Sequence, residues 1–190
     1  MAVCLIEAAF RFASGYTPIN GLMLTLAARL TQMAFILVFA FRHCGIQTAS
    51  LKNELVVGVA ISAAFGAVVM GVHLISRLFM DKGLLGVLIS AQSTDKWFLF
   101  LIVGCIIGPF VEELFFRGLV YSWMRTSLAP GYCIILSSLL FASMHGRISV
   151  VQLTGGLLFA SLYEWRKNIW APFTVHVCAN IGIWIVPYFY

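Results

Sequence analysis

Seven acidic residues occur in this 190-residue chain, and two of them, the adjacent pair Glu112 and Glu113, fall deep inside an apolar run, Leu-Ile-Val-Gly-Cys-Ile-Ile-Gly-Pro-Phe-Val-Glu-Glu-Leu-Phe-Phe-Arg. The others (Glu7, Glu54, Asp81, Asp95 and Glu164) lie near the ends of apolar segments. A carboxylate held at the centre of a bilayer costs at least ~2.5 kcal/mol, so it normally faces a protein interior or a wet cavity and marks a working site. The spacing assigns the pair different tasks. Glu113 and Arg117 stand at i and i+4 with the acid N-terminal, the favourable order for an ion pair on one helix face. Glu112 points about 100° away from that face and has no cation on its own helix. In a partly dry site such an acid is suited to take a proton from water and return it to a leaving amine. A structural Glu-Arg staple with a spare acid is the plainer alternative.

Two more polar groups recur at helical spacing. Phe141 and His145 are i and i+4, which lets the phenyl ring pack beside the imidazole and fix its rotamer; alone, such a histidine is most simply a packed helix-end residue. His176 and Asn180 are also i and i+4 and project from one side of the last apolar segment. Both side chains carry N–H donors, so the pair suits an oxyanion hole for a scissile carbonyl; alone, it equally suits polar glue between helices. His73 lies in the second apolar segment, at a cavity or interface, and His43 sits beside Arg42 in a loop. Arg29, inside the first span, either snorkels or pairs internally.

The elements that must position these groups are membrane spans. The chain is 62% hydrophobic and only 10% charged, with mean hydropathy +0.99, against about half and about a quarter for soluble domains. A soluble fold cannot cover that much apolar surface. Six segments meet or approach the ~20 residues a spanning helix needs: Gly21 to Phe41, Leu55 to Met80, Trp97 to Met124, Tyr132 to Met144, Ser149 to Trp165 and Ile169 to Tyr190. The fourth and fifth are short and need shelter from neighbours. The expected fold is all-α, a polytopic transmembrane helical bundle of about six spans, in one domain covering 1–190 with the motif-bearing core at about 97–190. No linker or repeat divides it. The first dozen residues read as a short interfacial helix, without the basic n-region of a removable signal peptide. Gly83 to Ala91 is too short to cross, so it lies at the surface or re-enters.

Net charge is +5, but the twelve Lys and Arg are spread singly, which excludes the basic runs of nucleic-acid binders. Loop Lys and Arg divide five against five between the two sides (Arg11, Arg77, Lys82, Lys96 and Arg147; Arg42, Lys52, Arg125, Arg166 and Lys167), so charge bias sets no orientation. The five cysteines have no CxxC or zinc-type spacing.

The ordered set Glu112-Glu113-x-x-x-Arg117, Phe141-x-x-x-His145 and His176-x-x-x-Asn180, with the Arg117-Gly118 step and the Ile169-Trp170-Ala171-Pro172 lead, resembles the CAAX protease and bacteriocin-processing family, also called the Abi family. The resemblance covers roughly 97–190; the first half carries no motif. It implies a glutamate-dependent intramembrane endopeptidase of helical architecture, multi-pass in a bacterial inner membrane. Its partners would be membrane lipid and a membrane-associated or lipidated protein or peptide: a CAAX-type substrate, a bacteriocin precursor or a C-terminal sorting helix. By the same resemblance Glu112 with His145 would activate water, His176 and Asn180 would hold the oxyanion, and Glu113 with Arg117 would position the first carboxylate. A zinc-type reading would use Glu112, His145 and His176 as ligands with an open fourth position. The metal-free reading is preferred, since no His-Glu-x-x-His helix occurs and Asn180 suits an oxyanion donor better than a zinc ligand. Two competing classes are a proton-relaying transporter, for which inverted repeats would be expected, and a catalytically idle scaffold or immunity protein, which would be expected to have lost part of the polar set.

Overall fold

The computed structural model describes residues 5–6, 8–10, 12, 21–40, 46–47, 50–88, 96–145 and 149–189. Among them the chain is helical throughout its regular structure, with no strand. The helices are α1 (Gly21–Ala40), α2 (Leu51–Ser76), α3 (Gly83–Leu88), α4 (Trp97–Met124), α5 (Pro130–Ser143), α6 (Val150–Arg166) and α7 (Trp170–Ile185), the last continued by a 3₁₀ turn, Val186–Phe189. The expected all-α bundle is the observed one. Glu7, Arg11, Arg42, His43, Asp95 and Arg147 lie outside the described residues, as does much of the expected N-terminal helix.

Among the described residues three helices, α1, α2 and α4, are long and apolar enough to cross a membrane. α5 and α7, with 14 and 16 residues, are shorter, and their ends are fixed by local chemistry. Pro130 opens α5 at a position where its missing N–H costs nothing. Ser149 caps α6 by accepting from the Gln152 amide. Lys167 closes α6 in the left-handed region at φ 53°. Asn168 then ties the turn together, donating to Gln47 O and accepting from the Trp170 amide. So tight a turn makes α6 and α7 antiparallel neighbours.

α4 is the central helix, packed by α1, α5, α6 and α7, while α2 lies outside on α7. Gly58 permits that last contact: a Cβ there would sit 2.5 Å from Thr174 Cβ. The segment from Gly83, expected at the surface or re-entrant, forms α3 folded back on α2, and buried His73 receives the Leu85 amide at Nδ1. His73 thereby fastens a turn. At one end of the bundle Glu54 accepts two bonds from Arg166, and Glu164 gathers Tyr121, Arg125 and Lys167. Arg125, Arg166 and Lys167, counted to one membrane side in the sequence, do share one end.

α4 is one unbroken 28-residue run whose interior changes winding twice. Val103–Ile107 and Leu114–Tyr121 are π-helical, and Gly108–Glu113 between them is α-helical. Such wide turns recur where helices carry functional groups. The first has a visible cause. The Gly108 amide bonds back to Val103 O, five residues away, and the next residue, Pro109, has no N–H to offer. The Gly104 carbonyl is thereby left without a helical donor, and a buried carbonyl must find one elsewhere.

Candidate active site

The α-helical stretch between the two π segments presents Glu112 and Glu113 to different neighbours, as their 100° separation requires. Glu113 faces inward and is fully buried with Arg117. Arg117 Nη1 donates to Glu113 Oε1 at 3.2 Å, and Nε lies 3.2 Å from Oε2 without the alignment of a hydrogen bond. The remaining guanidinium edge donates to Gly156 O on α6 at 3.1 Å. Its face is covered by aromatic rings, with Phe141 at 4.9 Å and Phe159 at 5.4 Å from the guanidinium carbon. A charge taken this far from water is tolerated only when paired and hydrogen-bonded; the pair meets that demand through Nη1, Nη2 and Oε1, while Nε and Oε2 face each other without a hydrogen bond.

Glu113 also receives His176 from α7, whose Nδ1 lies 2.8 Å from Oε1. A carboxylate only accepts, so Nδ1 carries the hydrogen and Nε2 turns outward. The ring is held between Phe159, stacked on it at 4.5 Å and 23°, and Phe141, edge-on at 5.6 Å. His145 is arranged by the same logic in the turn after α5. Its Nδ1 lies 2.8 Å from the Phe141 carbonyl, so Nδ1 donates and Nε2 points away. Phe141 packs against the ring at 4.6 Å, as the i, i+4 spacing predicts.

The two outward Nε2 atoms converge on a single carboxylate oxygen. Glu112 Oε2 lies 3.8 Å from His145 Nε2 and 3.7 Å from His176 Nε2. These separations exceed direct hydrogen bonds and lie within one-water reach of the carboxylate. His145 retains 30% exposure of its side chain and Glu112 14%, so the oxygen stands at the edge of the buried cluster.

Glu112 has no cation on its own helix, as spacing implies, and takes one from another: Arg29 Nη2 of α1 donates to its Oε1 at 3.1 Å, from 83 positions away. Periodicity within one helix cannot register such a partner. A charge-balance argument could have found it, because Arg117 was already assigned to Glu113 and Arg29 was the other arginine inside a span. Of the pair expected to position Glu112, Arg117 bonds to Glu113, and Glu113 in turn holds His176.

Asn180 sits one turn beyond His176 on α7, and its Nδ2 donates at 2.9 Å to Gly104 O, the carbonyl orphaned by the π turn and Pro109. One of its two amide hydrogens is thus committed to holding α7 on α4, and the other stays available to a ligand. Phe159, Gly156 and Gly104 were not singled out from sequence, since apolar residues and glycines in apolar helices carry no chemical signature. The Gly104, Gly108, Pro109 series was the one available hint of irregular winding.

Residues 94–182 match the family described as Type II CAAX prenyl endopeptidase Rce1-like. Over that stretch, a little under half of the chain, the sequence is similar to that family. The match takes in α4 to α6, most of α7, and every residue of the cluster except Arg29. A curated relative, "Putative membrane peptidase YdiL" of Bacillus subtilis (strain 168), is 30% identical over 90 residues, covering 46% of this chain and 37% of the relative. The chain therefore aligns with little more than a third of that relative's length. No solved structure matches the chain significantly. The family and the apolar helices together make this an integral membrane protein.

Glu112, His145 and His176 are the side chains that could approach a divalent metal, and both imidazoles have the hydrogen-bonded Nδ1 that metal-ligating histidines show. In the geometry described, no group of three or more His, Cys, Asp or Glu among the described residues is disposed to hold a metal ion.

Proposed function

We propose that the protein is an intramembrane endopeptidase of the glutamic type, hydrolysing a peptide bond in a membrane-associated or lipidated substrate. The observation that carries this reading is the convergence of two tautomerically fixed imidazoles on Oε2 of a carboxylate placed at mid-span. A water bridging Oε2 and the His145 Nε2 lone pair gives one proton to Glu112 as its oxygen bonds to the scissile carbonyl carbon. The carbonyl oxygen becomes an oxyanion. The free Asn180 N–H and His176, when it carries its second proton at Nε2 with Glu113 behind it, are the donors for that charge. The C–N bond then breaks as the proton on Glu112 passes to the leaving amine, giving a carboxylic acid and an amine from amide and water.

Both the relative's name and the family description concern peptidases, and a prenylated CAAX-type C-terminus is the first substrate class to try. A bacterial maturation peptide or sorting helix is the second, and the Bacillus relative fits a bacterial inner membrane. The test is cleavage of a panel containing both classes by the purified chain in nanodiscs, compared with Glu112→Gln and with a chelator added. We expect cleavage that disappears in the variant and persists with chelator. Chelator-sensitive cleavage would replace the metal-free mechanism with ligation by Glu112, His145 and His176.

A further inference from the structure

The matched family segment begins at residue 94, yet the site is closed by a side chain from α1. Arg29 stands in the middle of an apolar span and takes Oε1 of Glu112 at 3.1 Å, while Gln32 Oε1, one turn along α1 and almost fully buried, accepts from Arg29 Nη1 at 2.9 Å. The guanidinium is therefore held on both sides, by its own helix and by the carboxylate. Since the two carboxylate oxygens are rigidly linked, fixing Oε1 fixes where Oε2 points, and Oε2 is the atom that faces both imidazoles. The ion pair also balances charge. Glu113 is matched by Arg117 and Glu112 by Arg29, so neither carboxylate stands uncompensated at mid-span.

We propose that Arg29 is a positioning residue of the active site, orienting Glu112 through Oε1, and that α1 is therefore a working part of the enzyme. The inference rests on the role given to Glu112 above. A planar guanidinium is suited to this task because its N–H groups have fixed directions and remain charged. Gln32 supports it by limiting the rotamers open to Arg29.

The experiment uses the full chain in nanodiscs with the peptide found to be cleaved above, and compares Arg29→Ala, Arg29→Lys, Gln32→Ala and Glu112→Gln. Arg29→Ala is expected to lower kcat about a hundredfold, within the range of mispositioning a catalytic group, with KM within about twofold. Arg29→Lys should recover part of that loss, and added guanidinium should restore Arg29→Ala but leave Glu112→Gln inactive. Infrared difference spectra supply a readout free of turnover: the Glu112 carboxylate band, isolated by subtracting Glu112→Gln, should move in Arg29→Ala and return with guanidinium. Should Arg29→Ala fold poorly, Arg29→Lys and Gln32→Ala carry the same comparison, each expected to reduce kcat with KM preserved. Full kcat in the Arg29 variants beside a dead Glu112→Gln overturns the inference and leaves the proposed base intact. A loss accompanied by raised KM, with an unmoved carboxylate band and no guanidinium rescue, also overturns it. An active Glu112→Gln removes the base, and this inference with it.

Discussion

Two neighbouring carboxylates, each matched to one arginine, live in opposite surroundings. Glu113 and Arg117 are both 0% exposed and lie on the same helix, enclosed by aromatic rings and tied to α6 and α7. Glu112 and Arg29 keep 14% and 19% exposure and join two helices, with the outer carboxylate oxygen turned to the histidines. Burial and multiple partners make the first pair a structural fixture that aims His176. Partial exposure and a free oxygen make the second pair capable of chemistry. In the proposed mechanism the sequence neighbours thus divide between scaffold and reaction by a 100° turn of the helix.

The contrast breaks most visibly in a pair of isosteric variants. Glu112→Gln should reduce cleavage by about a thousandfold, within the range for loss of a general base, while thermal unfolding in detergent shifts little. Glu113→Gln should strand a buried guanidinium at a cost of about 3 to 5 kcal/mol, seen as a lowered unfolding temperature and yield as well as lost turnover. Equal destabilisation by both variants would erase the distinction.

Asn180→Ala comes next. Removing an oxyanion donor is expected to cost about a hundredfold in kcat, and the abandoned Gly104 carbonyl adds about 1 to 3 kcal/mol of destabilisation. Pro109→Ala sharpens this by restoring a backbone donor near Gly104. Turnover should fall while unfolding temperature holds or rises, since the helix regains a bond that Asn180 no longer has to supply.

Phe159→Leu removes the ring stacked on His176 and one of the rings over Arg117. An aromatic contact of this kind is worth about 0.5 to 1.5 kcal/mol, so kcat should drop by roughly tenfold at most. The smallest effect on turnover belongs to the bundle's end, where Arg166 donates two bonds to buried Glu54. Arg166→Gln should leave kcat unchanged while lowering the unfolding midpoint, because the carboxylate it leaves behind is buried.

What could be read from sequence follows the range of the interactions. Glu113–Arg117 and Phe141–His145 lie within one turn and were legible from spacing, as were the all-α class and the bounds of α4. The assembly of Glu112 with His145, His176 and Arg29 depends on helices packed against one another, which no periodicity encodes. Resemblance brought the histidines together, and Arg29 could be reached only through charge balance with Glu112, since the first half of the chain carries no motif. Asn180 shows a third case: its face was legible, but its engagement with Gly104 arises from π winding around Pro109, a backbone event invisible to side-chain patterns.

The unequal helix lengths bear on the lipid around the molecule. At about 1.5 Å of rise per residue, α2 extends for roughly 39 Å, whereas α5 and α7 reach only about 21 and 24 Å, below the ~30 Å of an ordinary hydrocarbon layer. A helix shorter than the hydrocarbon layer is met by a locally thinner bilayer, by flanking side chains that reach the interface, or by neighbours that cover its ends. His145 follows the end of α5, the shorter of the two, so under the proposed mechanism a thinner bilayer would bring the aqueous boundary toward the site. Acyl-chain length is then expected to alter turnover, with shorter chains favouring access.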